Sequence, residues 1–291
     1  MKTALVFGAS GQVGAPLLYR LNERGWRVLA LSREARPDTP GRHWLQGEFA
    51  RMPPLPAAVD AIFSCGPLDA FARWHAESRI VVPRIVAFGS TSAMTKHDSE
   101  DAHERDLVRR LLGAEASVFA SAEQRGATAT MLRPTLVYGS GRDATLSRIA
   151  ALARRHGRFL LPRDANGLRQ PVHVDDLADA AFAASQSAAA QGRAYDLPGG
   201  ETLPYRGMVG RVLDCLEPPA KLLEWPMPLF RLALRVARSR GIARDLTDAA
   251  VRRMREDLVF DTGPAHRDFG YAPRAFAPTA DMFKPMLWER L

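Results

Sequence analysis

Tyrosine is scarce in this chain: there are five in 291 residues, and none between Tyr19 and Tyr138. Cysteine is scarcer still. Cys65 and Cys215 stand far apart with no CxxC and no neighbouring histidine, which excludes a disulfide framework and a cysteine-based zinc site. Lysine occurs only at positions 2, 96, 221 and 284, so the net charge of +8 rests on arginines scattered along the chain. Without a basic block, a helix-turn-helix spacing, an aromatic RNP-like strand or a zinc knuckle, that charge speaks against nucleic acid as a partner. No run approaches the ~18 consecutive apolar residues of a membrane span, and no charged-then-apolar leader precedes the first apolar stretch. The expectation is a soluble, cytoplasmic protein in a reducing compartment. There is also no GxSxG elbow, no Walker loop and no HExxH pair, which argues against a serine hydrolase, a P-loop phosphoryl transferase and a zinc protease.

What is present is a regular alternation. Short apolar runs, TALVFG (3–8), WRVLAL (26–31), VDAIFS (59–64), RIVAFGS (84–90) and TATMLRP (128–134), are separated by longer stretches of helical period. This predicts βαβ units in an α/β fold, a Rossmann doubly wound parallel sheet. Gly25 and Gly126 stand where helices should stop. After Tyr138 come the loop GSGRD (139–143), a helix to about His156, and a short strand running into a helix over 170–184, with Asp175 and Asp176 as its caps. Prolines at 198, 204, 218, 219, 226 and 228 break the last third into short pieces. The expected division is a Rossmann domain over 1–165, with segments around 170–200 contributing, and a smaller C-terminal α/β substrate lobe over 166–291.

GASGQVG (8–14) follows the first strand and opens the first helix. In that context Gly8 permits the tight turn, Gly11 lets backbone approach a pyrophosphate, and Gly14 lets helix and strand pack closely. The next strand ends in Ser32 and Arg33, where an NAD site places a carboxylate for the ribose 2′-hydroxyl. A hydroxyl and a guanidinium suit a 2′-phosphate, so NADP is expected over NAD.

The ordered set GASGQVG, FGSTSA (88–93), Glu115, MLRPTLVYGSGRD (131–143), RQPVHVDDLA (169–178), YDLPGGETL (195–203) and DFGYAP (268–273) resembles the extended short-chain dehydrogenase/reductase superfamily, the NAD-dependent epimerase/dehydratase family. The resemblance implies that Ser10, Gln12, Val13, Cys65, Gly66, Gly89, Ser90 and Pro134 also line the cofactor. It further implies a catalytic Tyr, a Lys four residues later, and a Glu four residues after that. Anchored on Glu115, the Tyr and Lys positions fall on Leu107 and Leu111. The usual proton donor and the residue that tunes it are both missing.

The strand-end hydroxyls remain. By resemblance Ser92, with Thr91 beside it, holds the substrate oxygen, although Ser and Thr are also common turn formers. Lys96 is a candidate proton donor if buried, against a solvated place in the polar loop TKHDSED (95–101). Arg169 resembles the epimerase arginine that contacts a substrate diphosphate; its alternative is an ion pair with Asp175 or Asp164. The resemblance puts Arg142 and Asp143 beside the substrate too, and His173 reads as a packed strand residue. Two functions fit: an atypical NADP-dependent redox or epimerase/dehydratase-type enzyme on a small, phosphate-bearing or nucleotide-sugar-like substrate, or a catalytically inactive dinucleotide-binding sensor or assembly protein.

PLFRLALRVARSR (228–240) sets Arg231, Arg235 and Arg238 against Leu229, Phe230, Ala233, Leu234 and Ala237. This amphipathic basic helix is read as having one face in the core, with weak membrane-surface contact as the alternative.

Overall fold

The computed structural model describes residues 1–239 and 246–284. The chain runs β1 (Thr3–Phe7), α1 (Gly14–Glu23), β2 (Arg27–Ser32), β3 (Arg42–Gln46), β4 (Ala61–Ser64), α2 (Leu68–Glu77), β5 (Arg84–Phe88), a short α3 (Ser92–Thr95), a long α4 (Ala102–Glu123) and β6 (Thr128–Pro134). Next come β7 (Val137–Tyr138), α5 (Leu146–His156), β8 (Arg158–Pro162), β9 (Leu168–Arg169), β10 (Val172–His173), α6 (Val174–Gln186) and β11 (Arg193–Leu197). The last third holds β12 (Leu203–Pro204), α7 (Tyr205–Asp214), β13 (Lys221–Trp225), α8 (Met227–Ser239), α9 (Asp248–Arg253), α10 (Gly263–Phe269) and a 3-10 turn over Ala280–Phe283.

These elements form two compact units. The first contains Met1–Thr135, Val174–Leu197 and Asp261–Pro273; the second contains Leu136–His173, Pro198–Phe260 and Arg274–Leu291. The boundary therefore falls at Thr135, earlier than the expected 165, because the chain leaves the sheet directly after β6. Residues 261–273 also belong to the first unit. Asp268 draws them there by accepting from the Tyr195 hydroxyl at 2.5 Å and from Arg193 Nη1 at 2.9 Å.

The first unit is built on a seven-stranded sheet of order β11-β6-β5-β4-β1-β2-β3, with every pair parallel. A parallel sheet is covered on both faces, which is why its inner strands read as unbroken apolar runs: Ala4 to Phe7 and Ala61 to Phe63 are essentially inaccessible. Leu5, Phe7, Ile62, Phe71, Ile85, Val118 and Met131 share one core cluster. Strand order reverses between β1 and β4, and ligands of such sheets bind in the crevice beyond the carboxyl ends of the strands at that point. Gly25 (φ 70°) and Gly126 (φ 65°) adopt the left-handed turn just past α1 and α4. β3 was not anticipated: RHWLQ is polar at Arg42, His43 and Gln46, neither alternating nor continuously apolar, and it forms the sheet edge.

His75 on α2 is wholly buried in the first unit and stacks on Phe71, with ring centroids 5.7 Å apart. Its Nδ1 lies 2.7 Å from Ser121 Oγ, which itself donates to the Val118 carbonyl, so Nδ1 carries the proton of a neutral ring. Burial, and then the nearby Arg125, push its pKa down from 6.5 to about 4. The unfolded chain takes up this proton first as pH falls, so the contribution of neutral His75 is complete above pH 6.5 and is lost as pH drops towards 4. Urea unfolding of the wild type should lose on the order of 3 kcal/mol across that window through this residue, and His75→Phe should flatten the slope there. A slope unchanged by the substitution would place the sensitivity elsewhere.

In the second unit, β8 and β13 pair in parallel. α5 and α7 share with Phe276 a core of Leu146, Ile149, Ala153, Met208 and Val212. Among the described residues, no helix is long and apolar enough to cross a membrane.

Candidate dinucleotide and catalytic site

The glycines of the first loop are required by contact as well as by pattern. Gly8 has φ 64°, and a Cβ there would lie 2.7 Å from the backbone of Cys65 and Gly66 beyond β4. At Gly14 a Cβ would come within 2.2 Å of the Gly8 carbonyl and 2.8 Å of Ala9 Cα, so only glycine lets α1 begin this close to β1. Gly11 donates its N–H to the Gly8 carbonyl at 2.8 Å, and a Cβ on it would press on that same oxygen at 2.9 Å. Its smallness therefore serves the turn itself, not only the approach of a ligand. Val13 is buried at the start of α1, and no side chain caps that helix. Gln12 Oε1 is buried with no hydrogen-bond partner. A glycine cradle, an uncapped helix N-terminus and an orphaned polar atom together fit a dinucleotide pyrophosphate. Cys65 and Gly66 stand at the carboxyl end of β4 beside this loop, and burial pushes the Cys65 thiol up to about 12.

Beyond β2, Ser32 is buried and Arg33 is exposed. Ser32 Oγ accepts from the Glu34 N–H at 3.2 Å and from Arg36 Nε at 3.3 Å. Arg36 lies over the Trp44 ring at 5.3 Å and meets Glu34 at 3.1 Å. Arg36 is thus the guanidinium that the fold holds against Ser32. Sequence reasoning missed it because the 33–41 loop has no periodicity; the signal that could have found it is an arginine four residues past the strand-end serine.

Three hydroxyls follow β5, packed beside β6. Gly89 donates to the Leu132 carbonyl, and both Thr91 N–H and Thr91 Oγ donate to the Pro134 carbonyl, the latter at 3.1 Å. Ser90 Oγ accepts from the Ser92 N–H at 3.1 Å. The half-buried Ser92 hydroxyl has no hydrogen-bond partner among the described residues, so of the three it is the one left available. Lys96 sits one helical turn past Ser92, and its N–H bonds to the Ser92 carbonyl. It is not a loose loop lysine: Nζ meets Glu104 Oε1 at 3.2 Å, and Ser99 Oγ donates to Glu104 Oε2 at 2.6 Å.

Glu115 fixes the register of α4. Its buried carboxylate receives Arg133 Nε at 3.0 and 3.1 Å and Nη2 at 2.5 Å, which raises the guanidinium's affinity for its proton. A Cβ on Gly89 would lie 2.7 Å from Glu115 Oε1, so glycine makes room for the pair. Asp196 lies 3.9 Å from Arg133, with its own pKa raised by burial. With α4 held this way, Leu111 and Leu107 follow on the Glu115 stripe one and two turns towards its start, both half-buried, and Leu111 packs on the core.

Arg169, in the second unit, is buried, and three of its five N–H donors are turned to backbone carbonyls. Nη1 bonds the Leu168 and Glu256 carbonyls, each at 2.7 Å; Nη2 bonds the Arg253 carbonyl, and the guanidinium covers the Tyr205 ring at 5.3 Å. Neither Asp175 nor Asp164 is the partner expected of it; Asp164 faces Arg255. Asp143 closes the start of α5, accepting from the backbone of Thr145, Leu146 and Ser147. Arg142 beside it is exposed. His173 is buried edge-on against Tyr138, and only a glycine at 139 fits beneath its ring. Asp175 and Asp176 lie inside the first turn of α6, which starts at Val174, instead of capping it from outside.

Comparison with known proteins agrees with this geometry. Residues 110–197 match the model of the NAD dependent epimerase/dehydratase family. The 2-alkyl-3-oxoalkanoate reductase of Stenotrophomonas maltophilia is 28% identical over 320 aligned positions, covering 93% of this chain and 94% of that one. Among solved structures, an epimerase of Methanothermobacter thermautotrophicus aligns with a TM-score of 0.68 at 16% identity, over 97% of this chain and 90% of the other. The UDP-glucuronic acid 4-epimerase of Bacillus cereus in complex with NAD gives 0.68 at 12% identity, over 97% and 94%. Residues 110–197 thus match that family's model, and the chain shares the fold of these epimerases.

Proposed function

We propose that this protein is an NADP(H)-dependent reductase of small oxo acids that works without the family's Tyr-Lys pair. The observation that carries the reading is the unpartnered Ser92 hydroxyl, one turn from a lysine held by Glu104 in the same unit as the glycine cradle. The dinucleotide, bound along Gly8 to Gly14 and on to Ser90 and Pro134, would supply the hydride to a carbonyl carbon. Ser92 donates a hydrogen bond to the carbonyl oxygen and orients it. The proton that completes the alcohol comes from Lys96, whose ammonium Glu104 and Ser99 keep in place. Leu107 and Leu111 leave an apolar wall where the usual acid would stand, which suits an alkyl-bearing substrate.

The choice of an oxo acid over a nucleotide sugar rests on two supports. The relative similar along its whole length is named as a 2-alkyl-3-oxoalkanoate reductase. Arg169, the side chain expected to meet a diphosphate, is buried and spends three of its donors on backbone carbonyls, which a bidentate phosphate on both Nη atoms would have to disturb. Ser32 and Arg36 favour NADP, with the exposed Arg33 adding charge.

The test is to mix the purified protein with NADPH and a 2-alkyl-3-oxoalkanoate and follow the loss of NADPH absorbance, with calorimetry of NADPH alone in parallel. Substrate-dependent oxidation is the expected result. Tight NADPH binding without turnover of that acid would overturn the reductase reading in favour of a dinucleotide-binding sensor or assembly protein.

A further inference from the structure

The helix α8 does not divide its residues as an ordinary half-buried helix would. Its core side is narrow: Phe230 and Leu234 are buried, packing with Val251 against Leu160, Met227 and Leu246. Leu229, which the sequence pattern assigned to that side, is instead 53% exposed, Leu232 is 56% exposed and Val236 43%. At roughly 100° per residue these three occupy one arc of about 60°, facing away from the Phe230 and Leu234 side. Trp225, at the end of β13 just before the helix, is also exposed.

The charges beside this arc have one sign. Arg231 and Arg235 are exposed along its edge, while Arg238 is drawn back to the Leu246 carbonyl and to Asp248. No acidic residue occurs between Trp225 and Ser239. Arg240, the last residue of the basic stretch, lies outside the described residues.

We infer that α8 is an interfacial helix that lays Leu229, Leu232 and Val236 into the surface of an anionic lipid bilayer, with Arg231 and Arg235 on the headgroups. Charge decides between this occupant and a second copy of the chain. A two-fold pairing of α8 would bring uncompensated arginines together, with no carboxylate on the helix to offset them. Anionic headgroups satisfy both arginines, and the aliphatic arc then leaves water. The exposed Trp225 stands where an amphipathic ring prefers the headgroup level. Long arginine stems let the charged heads reach outward while the aliphatic part follows the arc inward. This inference is independent of the reaction proposed above.

Co-sedimentation of the full chain with vesicles of equal parts phosphatidylcholine and phosphatidylglycerol tests it, beside vesicles of phosphatidylcholine alone. Binding to the anionic vesicles that weakens as salt rises is expected. Arg231→Ser with Arg235→Ser should reduce it roughly 30-fold, at about fivefold per arginine. Leu229→Ser with Leu232→Ser should abolish it. All four side chains are exposed, so the variants should keep the wild-type unfolding transition, and confirming this separates lost binding from lost folding. The inference is overturned if the protein stays in the supernatant, if it binds both vesicle types equally, or if the leucine variants change the mass in sedimentation equilibrium and not the vesicle binding.

Discussion

Glu115→Ala should lower the free energy of unfolding by about 3 kcal/mol, read as a fall in the urea midpoint with an unchanged slope. The substitution strands Arg133, whose side chain is only 18% exposed and whose guanidinium makes three hydrogen bonds to the lost carboxylate. Removing one partner of a buried ion pair leaves an uncompensated charge, and this costs more than the intact pair ever contributed. Asp196 moderates the loss because it lies 3.9 Å away and is itself desolvated; without Glu115 it becomes the nearest counter-charge. Glu115→Gln keeps an acceptor and should cost less than the alanine. An alanine variant as stable as wild type would mean that α4 is held by its apolar face alone. In that case the alignment placing Leu107 and Leu111 on the usual catalytic stripe would lose its physical anchor.

Arg36→Ala should weaken NADPH binding roughly 10- to 100-fold in calorimetric titration while leaving NADH nearly unaffected, the range expected for a charge-assisted hydrogen bond to phosphate. The size follows from how the side chain is held. Stacked on Trp44 and bonded to Ser32, the guanidinium has already given up most of its rotamer freedom, so little is lost when it meets a 2′-phosphate. Glu34, its present partner, is 80% exposed on its side chain and can yield that position to water. Arg33→Ala should have a smaller effect, since an exposed arginine acts through a screened charge. Equal losses for NADPH and NADH, or tighter binding of NADH by the wild type, would assign the site to NAD and give Glu34 the ribose.

Much of the first unit was legible in the sequence because a parallel sheet writes itself as continuous apolar runs, and because Gly8 and Gly14 are forced by backbone approaches that no other residue tolerates. The strand-end hydroxyls, Glu115 and the two leucines were singled out by the resemblance and not by any period of their own. What escaped was set by side-chain pairing across loops. Arg36 reaches Ser32 through a nonperiodic segment, Lys96 finds Glu104 across the α3–α4 turn, and Arg169 turns to carbonyls more than eighty residues away in the chain. None of these leaves a period in the sequence. The division of the chain escaped for the same reason: nothing in DFGYAP announces that Asp268 will bind Tyr195.

That division has a consequence for biosynthesis. β6 has β5 on one side and β11 on the other, and β11 is made only after the whole stretch from Leu136 to His173 has been synthesised. On the ribosome, β6 is therefore a temporary edge whose backbone amides and carbonyls wait for a strand some sixty residues downstream, the interval over which they can pair with another nascent chain. α10, which ties down Arg193 and Tyr195, arrives later still. Truncation before Asp261 would leave β11 without that latch, so the polypeptide's final segments decide whether its first-made sheet stays closed.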